Sequence, residues 1–243
     1  MTPHNRTGIA PRFLPLLTIF LSLATASSFA QSEYVGRYDL FAGFSNVSAP
    51  FVNNLEQPGF GMQFGVLNRK RIASGLDYSV QSGTTNLTPN LLPNLLQRAL
   101  AAELPPGYKL SVPTTLTIQT FTGGSQYVYR HFHSQALFLH PVLSAFRVEA
   151  TPRPTDAIAA VVSHMLVPKG TKRDWVGAYG LGGGTDVHVS QHLSARVQLD
   201  AAWTHPMNDI LAHGGWIYRF SVGPAFHFGR NVSTPRLMAQ AKQ

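Results

Sequence analysis

Residues 216–229 (WIYRFSVGPAFHFG) constrain the fold more than any other stretch of the chain. Trp216, Tyr218, Phe220, Val222, Phe226 and Phe228 alternate with Arg219, Ser221, Gly223, Ala225, His227 and Gly229; Ile217 and Pro224 are the exceptions. A period of two marks a β-strand, because successive side chains point to opposite faces. One face is therefore large, apolar and aromatic, and the other small or polar. In a soluble sandwich the apolar face packs on a second sheet; in a transmembrane barrel it meets lipid, with aromatics at the interfaces. This strand alone leaves both architectures open.

Related strands recur along the chain. Residues 34–44 set Tyr38, Leu40, Ala42 and Phe44 against Arg37, Asp39 and Gly43, with Phe41 breaking the pattern. Residues 59–67 alternate Phe60, Met62, Phe64 and Val66 with Gly59, Gly61, Gln63 and Gly65. A polar turn at 68–70 leads into 71–81, where Ile72, Leu76, Tyr78 and Val80 oppose Arg71, Ala73, Gly75, Asp77 and Ser79, so the two form a hairpin. Further strands are expected over 114–129, 135–149, 175–189 and 194–205. In 114–129 the phase slips between Leu116/Ile118 and Tyr127/Tyr129, which predicts a bulge at Gly123 and Gly124. The buried face of 135–149 is ambiguous. Residues 91–104 (LLPNLLQRALAAEL) have helical composition inside a loop, and 157–167 (AIAAVVSHMLV) lie in a loop or add a further strand segment.

Loop length then decides the architecture. The turns after the second, fourth and sixth strands, at 68–70, 130–134 and 190–193, are short. The connections after the odd strands, at 45–58, 82–113, 150–174 and 206–215, are longer. Short periplasmic turns alternating with long external loops are a property of outer-membrane barrels, and a soluble sandwich has no reason to show them. The prediction is an all-β, eight-stranded antiparallel up-and-down transmembrane β-barrel over 31–230.

The N-terminus agrees. Arg6 and Arg12 precede an apolar run over 13–24, and Ser28, Phe29 and Ala30 form a small-x-small cleavage site, so 1–30 reads as a secretory signal peptide. No other run approaches the ~20 apolar residues of a membrane-spanning helix. The chain has no cysteine, which excludes a lipoprotein anchor and any disulfide framework. Its net charge is +8, and +6 without Arg6 and Arg12, but basic residues are scattered apart from Arg69, Lys70 and Arg71. Export and this dispersion argue against a nucleic-acid partner and for outer-membrane lipids and lipopolysaccharide phosphates. Residues 231–243 read as a short periplasmic tail.

Two stretches resemble a known family. Ser221, Gly223, Phe226 and Phe228 resemble the last-strand signal of bacterial outer-membrane barrels, which the barrel-assembly machinery reads; here 229–243 follow it. Residues 182–200 (GGGTDVHVSQHLSARVQLD) resemble the penultimate hairpin of small OmpA-like outer-membrane β-barrel domains, with a Gly-rich strand, an Asp, a tight turn and inward polar residues. The resemblance covers the strands between about 34 and 228. It implies a transmembrane barrel with no defined chemistry and no cofactor.

An eight-stranded barrel is only wide enough for its own side chains. The inward set is Arg37, Asp39, Gln63, Arg71, Asp77, Arg196, Gln198, Asp200, Arg219 and His227. Strand adjacency is expected to bring Arg196, Asp200 and Arg219 together, and strand closure to bring Arg37 and Asp39 near Arg219 and His227. Buried charges must be paired, so Arg37, Asp39, Asp77, Arg196, Asp200 and Arg219 read as an ion-pair network plugging the lumen; a narrow pore is the alternative. His131/His133 and His188/His192 have metal-ligand spacing but sit at turns with no third ligand, and no metal is expected. Asp186, His188 and Ser190 offer the residue types of a lipid hydrolase, but they lie at the periplasmic end and a lipid-A deacylase acts at the outer leaflet, so no enzyme is expected. A soluble ligand-binding barrel would require Phe60 to face inward and Gln63 outward.

Overall fold

A computed structural model describes residues 35–130 and 134–232. Eight strands run β1 Gly36–Ala49, β2 Leu55–Arg69, β3 Ile72–Leu87, β4 Val112–Tyr129, β5 Gln135–Pro152, β6 Lys172–His188, β7 Leu193–Thr204 and β8 Gly215–Asn231. Each pairs antiparallel with its sequence neighbours, and β8 returns to β1, so the sheet closes into a barrel with no open edge strand. All eight exceed the ~9–11 residues that a tilted strand needs to cross a bilayer. The surplus lies mostly toward the long loops: β1 runs on to Ala49 and β3 to Leu87, where the sequence predicts loop. The expected signal peptide at 1–30 and most of the 231–243 tail lie outside the described residues.

Which face looks outward is settled on β2. Phe60, Met62 and Phe64 are 46, 47 and 44 % exposed, whereas Gln63 between them is 9 % exposed. The apolar face therefore points away from the lumen, which rules out the inside-out arrangement of a soluble ligand-binding barrel. Tyr38, Phe64 and Phe228 stack across three adjacent strands, with ring centroids 6.2 and 5.5 Å apart. Tyr78, Phe121 and Trp175 form a second aromatic chain, at 4.9 and 5.9 Å. Among the described residues no helix is long and apolar enough to cross a membrane, so any crossing falls to the strands.

Two segments differ from the sequence expectation. Residues 157–167 do not form a strand: Ala157–Leu166 is an α-helix, α2, whose N-cap Asp156 accepts a hydrogen bond from Ala159 N at 2.8 Å. Ala159 and Val162 are buried three residues apart, which is helical rather than strand spacing. The helix expected at 91–104 is shorter: a 3₁₀ turn at Pro89–Leu91 precedes α1, Asn94–Glu103, with Pro93 at its N-cap. Leu100 and Leu104 in and beside α1 share an apolar cluster with Ala159, Val162 and Leu166 of α2, so the two long loops pack on one another.

Gly123 and Gly124 mark no register slip. β3 pairs through them as Leu76↔Gly123 and Gly75↔Gly124, and β4 meets β5 in one register on both sides, at Thr122↔Ser144 and Tyr127↔Leu139. Leu116 and Ile118 point inward and Tyr127 and Tyr129 outward in unbroken alternation. The apparent slip arises because the lumen itself turns apolar toward the long loops. There Val47, Leu116, Ile118, Val142, Phe146, Val148 and Ile217 form a core with Leu92, Met207 and Ile210 of the loops.

Candidate functional site: the charged lumen

The half of the lumen toward the short turns holds two arginine layers. Arg196, near the start of β7, is 2 % exposed. Its Nε and Nη2 donate to Asp186 at 2.6 and 2.8 Å, its Nη1 and Nη2 to Asp39 at 2.9 and 2.7 Å, and its Nη1 to Gln63 Oε1 at 2.8 Å. A guanidinium has five N–H donors in a fixed fork, and here every one is used. Its faces are covered as well: the guanidinium carbon lies 5.7 Å from the Phe41 ring and 5.1 Å from the Phe138 ring. Phe41, the residue that breaks the alternation of β1, is thus an inward residue that packs on this cation.

Arg219 repeats the arrangement one layer nearer the long loops. Its Nε and Nη2 donate to Asp200 Oδ2 at 2.9 and 2.6 Å, its Nη1 and Nη2 to Asp77, and its Nη1 to Ser79 Oγ at 3.1 Å. Asp200 also accepts from Gln198 Nε2 at 3.0 Å and lies 3.1 Å from His140 Nε2. The close fit has a backbone cause on β6. A Cβ at Gly182 would lie 2.0 Å from Asp200 Oδ1 and 2.7 Å from His140 Nε2, so only glycine leaves room for that pair. In register between the two arginines, Ser221 Oγ donates to Ser45 Oγ at 3.2 Å, and Gln81 Nε2 donates to the same Ser45 Oγ at 2.9 Å.

The structure brings together Asp39, Asp77, Arg196, Asp200 and Arg219, but sorted differently from the strand-adjacency expectation. Arg196 bonds Asp39 and Asp186, while Arg219 bonds Asp77 and Asp200. Asp39 lies opposite His227, with Oδ2 3.0 Å from His227 Nδ1; Arg219 lies opposite Val47. Arg37 is not in the network: it sits at the rim, beside an irregularity in the β1–β8 register, exposed and 5.9 Å from the Tyr38 ring. Arg71 is exposed at the β2–β3 turn, where the inward-outward alternation of β3 has not yet begun.

Asp186, His140 and Phe138 are missing from the sequence-derived network. Asp186 pairs with Arg196, whereas counting outward from a 190–193 turn sets Val197 opposite it, one residue out of register. His140 and Phe138 lie on β5, whose two faces are both largely apolar, so alternation gives no signal there.

Asp39, Asp186 and His227 could offer three metal-ligand atoms within 4.8 Å of one another, but both carboxylates are already held by Arg196. A different serine and histidine come together: Ser194 Oγ lies 2.5 Å from His227 Nε2, and His227 Nδ1 3.0 Å from Asp39. These are the residue types of an acyl-transfer triad. However, Ser194 is 1 % exposed, and Asp39 is shared with the Arg196 fork. Toward the same end of the barrel, Val35, Phe138, Val128 and Val232 share a buried apolar cluster. Phe226 and Phe228 face outward beside β1, and Ser221 faces inward. Gly223 lies against β1, where a Cβ would meet Ala42 O at 2.5 Å.

No family model matches the sequence, and no curated protein matches it. Solved structures do match. Neisserial surface protein A is 10 % identical, with a TM-score of 0.50, covering 82 % of this chain and 100 % of that one. Ail, the attachment invasion locus protein of Yersinia pestis, solved with the heparin analogue sucrose octasulfate, is 7 % identical with a TM-score of 0.46, over 80 % and 99 %. The outer membrane protein OprG from Pseudomonas aeruginosa is 9 % identical with a TM-score of 0.46, over 81 % and 98 %. With its lumen packed, its apolar face turned outward and its strands closed on themselves, the chain has the fold of the small eight-stranded outer-membrane β-barrels.

Proposed function

We propose that this chain is exported, loses its leader after Ala30 and inserts into the outer membrane as a closed barrel whose long-loop face is a contact surface. The observation that carries the reading is the filled lumen. Two fully coordinated guanidiniums, a glutamine–serine cluster and an apolar core occupy it together. A lumen filled by its own side chains favours a structural and surface-interaction role over conduction, and leaves the outer face and the loops to do the work. The loops suit that task because α1 and α2 pack together instead of trailing freely.

Above the Trp175 girdle, outward-facing Arg173 binds Glu149 at 2.9 Å, with Arg147 3.9 Å from the same carboxylate. Two cations against one carboxylate suit the phosphates of lipopolysaccharide or other outer-membrane lipids. Ser221, Gly223, Phe226 and Phe228 serve as the signal for the barrel-assembly machinery, a role supported by the outward aromatics beside the closing seam. Normal membrane insertion of Phe226→Ala/Phe228→Ala would remove that role.

The test is the gel mobility of the outer-membrane fraction, boiled against unboiled, followed by conductance in planar bilayers. A mobility shift with no steady current is expected. A steady current would establish a pore, and an unshifted protein recovered in the soluble periplasm would overturn the membrane assignment.

A further inference from the structure

β4 and β5 are joined above and below one level of the wall but not across it. They pair from Thr114↔Pro152 to Thr122↔Ser144 and again from Tyr127↔Leu139, in one register, and no pair forms between 123–126 and 140–143. Pro141 is the cause. Backbone groups turn alternately to the two neighbouring strands, and Val128 N donates to Arg71 O on the β3 side, so the groups of Ser125 turn to β5. The register sets Pro141 opposite Ser125, and proline has no N–H to give to the Ser125 carbonyl. Pro224 of β8 also faces outward and also interrupts a seam, between Phe41↔Ala225 and Phe44↔Val222. There glycines let the strands close in, since a Cβ on Gly43 would lie 2.3 Å from Val222 O. The β4–β5 seam stays looser: a Cβ on Gly124 would meet only Pro141 O, at 3.7 Å.

A cavity of about 20 Å³ lies inside this seam, lined by Gly124, Ser125 and Pro141 of the wall and by His140, Gln198 and Arg219 of the lumen. That is room for one water molecule. His140 and Gln198 are 8 and 1 % exposed, and both belong to the Asp200 cluster. His140 Nε2 lies 3.1 Å from an Asp200 oxygen, and Gln198 Nε2 donates to the same carboxylate at 3.0 Å. A carboxylate only accepts, so the ring proton sits on Nε2 and Nδ1 keeps a bare lone pair. His140 Nδ1 and Gln198 Oε1 have no hydrogen-bond partner among the described residues. Two buried acceptors thus belong to the cavity at a broken rung, where the Ser125 carbonyl is a third.

We propose that this cavity is a binding site for one water molecule, which donates to His140 Nδ1 and Gln198 Oε1 and ties the lumen network to the β4–β5 seam. A buried acceptor left without a donor is costly, and irregular backbone at membrane depth is tolerated where it is buried in protein or lines water. The groups here accept, so the ligand must bring hydrogens. An apolar group has none to donate. A metal ion would need carboxylate ligands, and Asp77 and Asp200 are already held by Arg219. An ammonium-type cation would stand beside the Arg219 guanidinium. Water is neutral, is one heavy atom in size and carries two hydrogens for two acceptors. Bound there, it fixes the His140 ring, whose Nε2 in turn braces Asp200 against Arg219.

The experiment is solution NMR of the full-length barrel folded in deuterated detergent micelles, reading rotating-frame magnetisation transfer from water to backbone amides. Cross-peaks from water are expected at Gly124, Ser125 and Gln126. Gly124→Ala puts a methyl group into the cavity at ordinary contact distance from Pro141 O, and is expected to weaken the peaks at Ser125 and Gln126 at least fivefold (an order-of-magnitude expectation for a displaced water). Thr122→Val/Ser125→Ala removes the hydroxyls at the cavity that could relay the signal, and is expected to leave the peaks in place. Peaks absent from the unaltered barrel, unchanged in Gly124→Ala, or lost with the hydroxyls overturn the proposal. The His140 ring nitrogens give a second reading that needs no variant. A proton on Nε2 with Nδ1 accepting is expected at neutral pH, and a proton on Nδ1 overturns the site.

Discussion

The two halves of the lumen are filled by opposite chemistries. Toward the short turns, Arg196 and Arg219 with Asp39, Asp77, Asp186 and Asp200 occupy the space as paired charge. Toward the long loops, Val142, Phe146, Val148 and Ile217 fill it as an ordinary apolar core capped by Leu92, Met207 and Ile210. The two fillings fail differently. An apolar core loses stability in proportion to the contacts removed. A buried ion-pair layer loses little when the whole set is replaced by well-packed apolar groups and a great deal when one partner is removed, because the orphaned charge stays behind. The charged half is therefore cooperative in its composition, and the apolar half is additive.

The largest expected effect follows from that difference. Arg219→Leu leaves Asp77 and Asp200 facing each other in the lumen and should cost about 3–5 kcal/mol in denaturant unfolding of the detergent-folded barrel. Adding Asp77→Asn and Asp200→Asn to it should recover at least half of the loss. An unchanged midpoint in the single variant, or no recovery in the triple, would show that the layer is not coupled. On the apolar side Ile217→Ala should cost about 2–4 kcal/mol, and its loss should add to that of Arg219→Leu less closely than to that of a residue in the Arg196 layer, since Ile217 and Arg219 both line one cavity. Gly182→Ala, whose new Cβ would collide with the Asp200–His140 pair, should cost about 1–3 kcal/mol by overpacking; a neutral result would mean that the pair shifts freely.

The smallest effect lies outside the membrane. The Ala159 backbone N–H, followed by the Tyr108 hydroxyl, holds the Asp156 carboxyl below its usual value, and the Tyr108 hydroxyl is correspondingly raised. A depressed carboxyl contributes stability that is present above its unfolded value of about 3.8 and is lost as pH falls through the lower folded value. Amides in the first turn of α2 should therefore exchange faster only in strong acid, and Asp156→Asn should abolish that pH dependence.

The charged half of the lumen was legible because alternation exposes it. An Asp or Arg between two aromatics can only be inward, and Asp39, Asp77, Arg196, Asp200 and Arg219 follow from counting by twos. The apolar half was not legible. Where lipid and lumen are both apolar, as along β5 and the loop end of β4, the two faces of a strand carry the same residues and alternation vanishes. Alternation gives no sign of His140 and Phe138 for that reason, and it suggests a phase slip at Gly123 where the register is continuous.

The sequence by itself determined the number of strands, the outward face, and the end at which the short turns lie, because these follow from local periodicity and turn residues. Only the tertiary structure decided which carboxylate each arginine holds. Strand tilt in a closed barrel brings a residue beside strands that are distant in sequence, so Arg196 reaches Asp39 across the β1–β8 seam while Arg219 reaches Asp77 on β3. It also decided that β2 and β3 part above Gly59 and Gln81: the strand pattern continues in both, and only the pairing ends.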